Sequence, residues 1–178
     1  PREGTVFRFA DYSQIEMRFA AHEAEEPTLI AGFNTEDDFD THRATAKVMF
    51  GIEAPTDEQR SFAKTMNFAT LYGAGEDRVT EGLMDRMTVA EATRNCRKLG
   101  YRPSFAESPH RALSKLLLAR YRANLPAMKR ATRHESDIAE RRGFVMNAFG
   151  RHRYLEDEAW YTAFNTKIQG DAADQAKV

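Results

Sequence analysis

The sequence contains a single cysteine, Cys96, and its longest uninterrupted apolar run, residues 116–119, has four members. A lone cysteine excludes a disulfide framework and a zinc site built from several thiolates, and it favours a reducing, cytoplasmic setting. The apolar run is far shorter than the roughly 18 residues that suggest a membrane-spanning helix, so we expect no membrane partner. Residues 1–4 lead into an apolar strand pattern rather than a secretory signal, and we therefore expect no export.

The composition also lacks the bias of a disordered or fibrous chain. Hydrophobic residues make up 42% and charged residues 30% of the 178 positions, a balance typical of one globular domain. The net charge of -1 hides an asymmetry, because residues 1–59 carry 5 Lys/Arg and 13 Asp/Glu, whereas residues 78–153 carry 17 and 7. The acidic part suits metal ions and the basic part suits a polyanion, although ordinary solvated helix faces explain the same charges equally well.

Apolar periodicity and capping residues predict a chain that is mostly helical. A β-branched and aromatic run at residues 6–10 predicts a strand, and residues 144–151 predict a short hairpin or strand–turn. One strand near each end and helices between them indicate an α+β fold in which a small sheet carries a helical lobe. Helices are predicted over residues 15–25, 28–33, 41–50, 56–72 and 89–99. A long helix is predicted from residue 109, with a break at Pro126, and the helix after the break ends at residue 142. The last predicted helix covers residues 156–178 and is interrupted near Gly170.

The helix that Thr56 opens carries Arg60, Lys64, Phe68 and Tyr72 at every fourth position. Each step of four residues turns about 400° and rises about 6 Å, so the four side chains form one slowly drifting stripe. The two cations lie toward the helix N-terminus, where the helix dipole also favours anions. A nucleoside triphosphate has the matching layout, with phosphates at one end and a stackable base at the other. The alternative is that the two aromatic residues belong to the core and the two cations to the surface.

Asp11 directly follows the first predicted strand. A carboxylate held at the end of a strand can coordinate Mg²⁺, a hard cation that prefers oxygen ligands. An aspartate in this position is more commonly a turn or helix cap. Its place in the sequence alone therefore leaves both interpretations open.

Five segments, in order along the chain, resemble motifs of the family A DNA polymerases, the polymerase I-like enzymes. The segment DYSQIEMR at residues 11–18 is similar to the first palm motif of that family. The segment RSFAKTMNFATLYG at residues 60–73 resembles its fingers motif, R-x-x-x-K-x-x-N-F-x-x-x-Y-G. Residues 40–46 are similar to D-x-H-x-x-T-A, residues 150–154 to the G-R-x-R turn, and residues 164–174 to F-N-x-x-x-Q-G-x-A-A-D. The first two motifs are highly specific, and the five together span almost the whole chain.

The resemblance implies a role for each matching residue. Asp11 and the backbone carbonyl of Tyr12 would hold the two catalytic Mg²⁺ ions, and Lys64 would act as an acid toward the departing pyrophosphate. Glu16 would crowd the sugar 2′ position and so exclude ribonucleotides. The dNTP contacts would come from Tyr12, Gln14, Glu16, His42, Arg60, Lys64, Phe68 and Tyr72, and the DNA contacts from Tyr72, Arg151, Arg153, Asn165 and Gln169.

The same resemblance divides the chain into three parts. Residues 1–35 would belong to the palm, residues 36–140 to the fingers with an insertion near residues 84–111, and residues 141–178 would return to the palm. The sequence ends before the family's His-Asp-Glu motif, which supplies the second metal-binding Asp. We therefore expect this segment to be inactive when it is alone.

The implied function is template-directed DNA synthesis from dNTPs in replication or repair, in the cytoplasm of a bacterium or a phage-infected cell. Its partners would be primer–template DNA, dNTPs, and the remaining palm and thumb of the enzyme. The alternative is a nucleotide- or DNA-binding remnant without catalysis. A single-subunit RNA polymerase relative is disfavoured, because Glu16 would block the 2′ position and because Tyr12 stands where that group usually has Gly.

Overall fold

The computed structural model describes Val6, residues 11–156 and residues 159–177. This part of the chain is mostly helical and carries one two-stranded antiparallel sheet, in which Val145 lies opposite Arg153. The predicted α+β class is confirmed, whereas the predicted strand at residues 6–10 lies, except for Val6, outside the described residues. In order, the elements are α1 (Ile15–Glu23), α2 (Pro27–Thr35), α3 (Thr41–Phe50), α4 (Asp57–Leu71), α5 (Glu76–Met84), α6 (Val89–Lys98), α7 (Pro109–Asn124), α8 (Pro126–Arg142), β1 (Phe144–Met146), β2 (His152–Tyr154), a 3₁₀ turn (Trp160–Thr162) and α9 (Ala163–Gln175).

Local capping sets the ends of the helices that matter most for the site. Helix α4 begins with a reciprocal capping box, in which the Thr56 hydroxyl accepts from the Gln59 backbone N–H and the Gln59 side chain accepts from the Thr56 N–H. Asp40 caps α3 in a similar way by accepting from two backbone N–H groups. Helix α3 ends at Gly51, whose φ of 65° lies in the left-handed region that favours glycine.

The helix predictions are wrong in three respects. Helix α9 begins at Ala163 rather than at residue 156, and it continues through Gly170 without a break. A Cβ at Gly170 would lie 3.3 Å from Nδ2 of Asn147, so this glycine admits the hairpin against the helix instead of ending the helix. Helix α5 was not predicted, because it is short and Gly75 offers no side-chain cap, although Val79 and Leu83 bury one of its faces.

The main core takes buried apolar side chains from each of the helices α1 to α9. A smaller apolar cluster of Ala139, Val145 and Ala163 supports the hairpin. No helix in the described part of the chain combines the length and the apolar character that a bilayer span requires. The largest fully buried apolar side chains include Met17, Leu29, Met49, Met66, Leu71, Leu83, Leu113, Leu117, Leu125, Phe164 and Ile168.

The buried Glu26 and the partly buried Lys167 join helices that are distant in sequence. Glu26 is fully buried, and its Oε2 accepts the backbone N–H of Ala127 at 2.9 Å, which caps the first turn of α8. Lys167 of α9 lies between Glu23 of α1 and Glu135 of α8, at N–O distances of 2.7 and 2.9 Å. These contacts hold α8 and α9 against α1 and so fix the hairpin beside the rest of the chain.

Candidate functional site

The stripe on α4 borders an open groove of about 660 Å³. Lys64, Phe68 and Tyr72 line it, together with Arg78 of α5 and Tyr161 of the 3₁₀ turn. Phe68 is half-buried and Tyr72 is 44% exposed, so neither ring is simply part of the core. Lys64 is exposed and forms no ion pair with any described residue. Along α4, the groove therefore runs from the cation of Lys64 to the accessible rings of Phe68 and Tyr72, and Arg78 of α5 adds a second cation.

Arg60 lies one turn before Lys64 and is held by Asp40. Its Nε donates to Asp40 Oδ2 at 2.5 Å, while Asp40 Oδ1 accepts the backbone N–H groups of His42 and Arg43 at 3.0 and 3.1 Å. Partial burial raises the pKa of Asp40, but the hydrogen bonds from Arg60 and the Arg43 backbone outweigh it and lower the pKa overall. An ionised Asp40 thus fixes Arg60 at the start of α3.

His42 is buried between α3 and α4, and its hydrogen bonds define its tautomer. Asn67 Nδ2 lies 2.9 Å from His42 Nδ1, and Asn67 Oδ1 lies 3.1 Å from the Thr45 hydroxyl, which can donate to it. With the amide in this orientation, Nδ1 accepts and the ring proton is on Nε2. Burial lowers the pKa of His42 to about 4, helped by Arg60 and Lys64 and opposed by Asp40. His42 is consequently a neutral hydrogen-bond donor. The centroid of its ring lies 5.8 Å from that of the Phe68 ring.

We expect His42 to stay neutral down to about pH 5, with its proton on Nε2. An imidazole ¹⁵N–¹H pH titration measures both properties, and Asn67→Asp is the control because a carboxylate beside Nδ1 should raise the pKa of His42. In the unfolded chain His42 gains a proton below about pH 6.5, whereas in the folded chain its pKa is about 4. Burial of His42 therefore lowers the free energy of unfolding as the pH falls below about 6.5. Titration of His42 near pH 6.5, or a proton on Nδ1, would contradict this assignment.

The aromatic end of the stripe is joined to α9. Gln169 Nε2 donates to the Tyr72 hydroxyl at 2.6 Å, across 97 positions in sequence. Gly73, with φ of 73°, follows Tyr72 and is approached closely by Tyr161, whose backbone oxygen would lie 2.9 Å from a Cβ at this position. The predicted fingers motif and the predicted C-terminal helix motif therefore meet at one surface.

The β1–β2 hairpin is fastened to α9 by Asn147, a residue that sequence reasoning did not single out. Its Oδ1 accepts the backbone N–H groups of Phe149 and Arg151 at 3.1 and 2.8 Å, and its Nδ2 donates to Asp174 at 2.6 Å. Asp174 also forms a 2.7 Å ion pair with Arg151. Arg151 and Arg153 are exposed beside a second groove, of about 400 Å³, that Gln169 also lines. An Asn shortly before Gly150 is a turn signal that points to such a role.

Three of the predicted site residues lie in less open positions. The Gln14 amide is engaged within the protein, because Nε2 donates to the Phe39 carbonyl at 2.6 Å and Oε1 accepts the Thr41 N–H at 3.0 Å. Glu16 is half-buried in the first turn of α1. Asn165 is 4% exposed, and its Oδ1 has no hydrogen-bond partner among the described residues. Gln14 therefore positions the start of α3 in this conformation.

The predicted metal ligands, Asp11 and Tyr12, are both exposed. A carboxylate and a backbone carbonyl are oxygen donors of the kind that Mg²⁺ prefers. Within residues 11–156 and 159–177, no group of three or more His, Cys, Asp or Glu side chains is arranged to hold a metal ion. The donors fit Mg²⁺ in kind, but one carboxylate does not make a complete site for two ions.

The chain is similar in sequence to known proteins of one family. The sequence profile described as DNA polymerase family A matches residues 1–178. DNA polymerase I of Chloroflexus aurantiacus is 32% identical over 186 residues, covering 98% of this chain and 17% of the relative. The thermostable DNA polymerase I of Thermus aquaticus is 31% identical over 188 residues, covering 99% of this chain and 20% of the relative. The chain thus spans about a fifth of the length of these curated relatives.

A solved structure has a similar fold over most of the chain. It is described as the POL domain of Pol1 from M. smegmatis in complex with DNA primer-template and dNTP. The similarity has a TM-score of 0.71 at 27% sequence identity, and it covers 94% of this chain and 27% of the other.

Proposed function

Because the chain belongs to DNA polymerase family A, we propose that it forms the dNTP-binding part of an enzyme that extends a DNA primer on a DNA template. The observation that carries the proposal is the α4 groove, which has Lys64 toward one end and Phe68 and Tyr72 toward the other. That order matches a nucleotide with its triphosphate beside the cations and its base beside the rings.

Arg60, Lys64 and His42 bind the triphosphate in this proposal. Arg60 and Lys64 contribute permanent charge, and charge-assisted hydrogen bonds to phosphate are stronger than neutral ones. His42 adds a neutral Nε2–H donor, since its Nδ1 is occupied by Asn67. Lys64 has no carboxylate partner among the described residues, so it is available to give a proton to departing pyrophosphate.

Phe68, Tyr72 and Glu16 bind the nucleoside end. Phe68 packs beside the sugar and base, and Glu16 crowds the 2′ position to exclude ribonucleotides. Tyr72 lies near the template base and exchanges its hydrogen bond with Gln169 as the fingers close on the nucleotide. Tyr12 and Gln14 complete this group, Gln14 by positioning the start of α3.

The DNA contacts fall on α9 and on the hairpin. Arg151 and Arg153 are exposed cations that suit backbone phosphates. Gln169 and Asn165 suit the minor groove, where acceptors common to all base pairs let an amide check pair geometry without reading sequence. Arg151 exchanges its ion pair with Asp174 for a phosphate when DNA binds.

Asp11 and the Tyr12 carbonyl hold Mg²⁺ in this proposal, and further carboxylates come from another part of the enzyme. When bound, two Mg²⁺ ions activate the primer hydroxyl and neutralise the triphosphate. The division proposed for the chain is palm for residues 1–35, fingers for 36–140 with an insertion near 84–111, and palm again for 141–178. Primer–template DNA, dNTPs and the rest of the palm and thumb are the partners, and the bacterial relatives favour a cytoplasmic site of action.

We expect the isolated chain not to extend a primer, even with Mg²⁺ and all four dNTPs. Two catalytic ions about 3.5–4 Å apart need carboxylates from two places, and Asp11 is the only metal-binding carboxylate assigned here. Fusion to a C-terminal palm segment with the His-Asp-Glu motif should restore extension, and Asp11→Ala should abolish it again. A gel-based primer-extension assay on the chain, the fusion and the Asp11→Ala fusion decides the matter.

Each outcome of that assay has a distinct meaning. Extension by the chain alone, lost in Asp11→Ala, would show that a second carboxylate within it, such as Asp174, completes the metal site. A folded fusion that binds dNTP and DNA but never extends the primer would instead favour a binding remnant without catalysis.

A further inference from the structure

Helix α6 presents a row of cations on the face that points away from the core. Ala92 and Cys96 bury the opposite face of the helix. Arg94, Arg97 and Lys98 are all exposed, and none of them forms an ion pair with a described residue. Arg94 and Lys98 are four positions apart, a spacing at which like charges on a helix repel each other. Asp57 and Glu58 of α4 border the groove that Arg94 and Lys98 line, so carboxylates lie on one side of the row. The exposed cations nevertheless suit a polyanionic partner.

The loop that follows α6 carries a fully exposed aromatic ring. Phe105 lies in the loop and is exposed as completely as in an extended peptide, at 111%. The loop is nevertheless anchored, because the Tyr101 N–H donates to the Cys96 carbonyl at 2.9 Å and the Tyr101 hydroxyl donates to Glu107 at 2.7 Å. Arg102, also exposed, lies between these anchors.

We infer that Arg94, Arg97, Lys98, Arg102 and Phe105, here called the α6 surface, bind single-stranded DNA. Proteins that hold single strands without reading sequence combine cations that follow the phosphates with aromatic rings on which bases stack. An acidic protein segment could also meet the four cations, but it has no bases to stack on Phe105, and the stacking test below distinguishes the two partners.

The α6 surface is separate from the nucleotide groove, since none of its residues lines that groove. The inference rests on the proposed function in one respect: that function identifies the polyanion as DNA, and specifically as the unpaired template strand. Glu91 lies near Arg94, but its Oε2 is engaged by the backbone N–H and the hydroxyl of Thr88.

The charge part of the inference is tested by the salt dependence of binding. A labelled oligothymidylate is titrated with the isolated chain and followed by fluorescence anisotropy between about 50 and 200 mM salt. For single strands, each phosphate contact contributes about 0.7 to the slope of log K against log salt. The variant Arg94→Gln/Arg97→Gln/Lys98→Gln should therefore lower the slope by about 2. Lys47→Gln, which removes an exposed cation of α3, should leave the slope unchanged, and an unchanged slope in the triple variant would overturn the inference.

The stacking part is tested at Phe105 with two probes of equal charge. Phe105→Ala and Phe105→Leu should each weaken binding of oligothymidylate at least about fivefold, as expected for the loss of one stacked base. Binding of an abasic oligonucleotide of the same length should not change. Phe105→Trp should keep the affinity and show fluorescence quenching with oligothymidylate only. Equal losses for both probes, or full binding by Phe105→Leu, would overturn the inference.

Failure here is distinguishable from failure of the proposed function. Lys64→Ala should weaken dNTP binding and leave oligothymidylate binding intact. The α6 variants should weaken oligothymidylate binding and leave dNTP binding intact. Loss of both kinds of binding in the α6 variants would contradict a separate surface.

Discussion

Lys64→Ala should weaken binding of Mg·dATP to this chain by about ten- to a hundredfold. A hydrogen bond that involves a charged group contributes about 1.5–3 kcal/mol, and each 1.36 kcal/mol is a factor of ten in affinity. Lys64 is exposed and unpaired among the described residues, so it does not have to give up an internal partner to reach a phosphate. Its full contribution is therefore available to the nucleotide.

Arg60→Ala should weaken binding as well, for two separable reasons. The variant loses a cation, and it also leaves the Asp40 carboxylate without its 2.5 Å partner, next to the expected position of the phosphates. The double variant Arg60→Ala/Asp40→Asn removes the second effect and should recover part of the loss.

Isothermal titration or competition with a fluorescent nucleotide gives these affinities, and tripolyphosphate serves as a probe without a base. Lys64→Ala should weaken both ligands, whereas Phe68→Ala should weaken dATP alone. Lys47→Ala is the matched control, since Lys47 is an exposed lysine on α3 outside the groove. Unchanged dATP affinity in Lys64→Ala, or an equal loss in Lys47→Ala, would refute the triphosphate assignment.

Lys167→Ala should lower the free energy of unfolding by about 3 kcal/mol at pH 7. The Lys167, Glu23 and Glu135 side chains are only 16–17% exposed, and both carboxylates lie within 3 Å of the ammonium. Removal of the shared partner leaves two largely buried carboxylates facing each other, and breaking such a pair costs about 3–5 kcal/mol. The lower end applies here because some solvent reaches the group.

The pH dependence identifies the cause of that loss. In the unmodified chain, burial lowers the pKa of Lys167, but the hydrogen bonds that its ammonium donates to Glu23 and Glu135 outweigh burial and raise the pKa overall. The ion pair therefore stabilises the fold below about pH 10.4, and the contribution is lost as the pH rises through the raised pKa.

Urea denaturation at several pH values measures both effects. Lys167→Met/Glu23→Gln/Glu135→Gln is the control, because it removes all three charges together and should recover most of the stability. A loss under 0.5 kcal/mol for Lys167→Ala at pH 7 would contradict the proposed role.

Local signals in the sequence were enough to predict several helix ends. The Thr56 and Gln59 pair, Gly51 and Pro126 act through neighbouring backbone groups, so their effect can be read from a few consecutive positions. Gly170 misled the prediction because its meaning depends on Asn147, which approaches from the hairpin. The same limit applies to the long-range ion pairs of Lys167, which join three helices.

In the candidate site, too, some features follow from local sequence signals and others depend on long-range packing. Periodicity alone puts Arg60, Lys64, Phe68 and Tyr72 in one stripe, and the resemblance adds His42 to it. The neutral tautomer of His42 requires Asn67 and Thr45, whose contacts depend on the packing of α3 against α4. Nothing in the sequence indicates that Gln169 reaches the Tyr72 hydroxyl or that Arg78 joins the groove.

The most direct measurement is NMR mapping of Mg·dATP on the isotope-labelled chain. If the α4 groove binds the nucleotide, the side-chain signals of Arg60, Lys64 and the His42 Nε2–H should shift on titration, together with those of Phe68. The same titration with tripolyphosphate should move the three phosphate-binding groups and leave Phe68 nearly unchanged. Saturable shifts confined to another surface, such as the α6 surface, with Lys64 and His42 unmoved, would contradict a nucleotide site on α4.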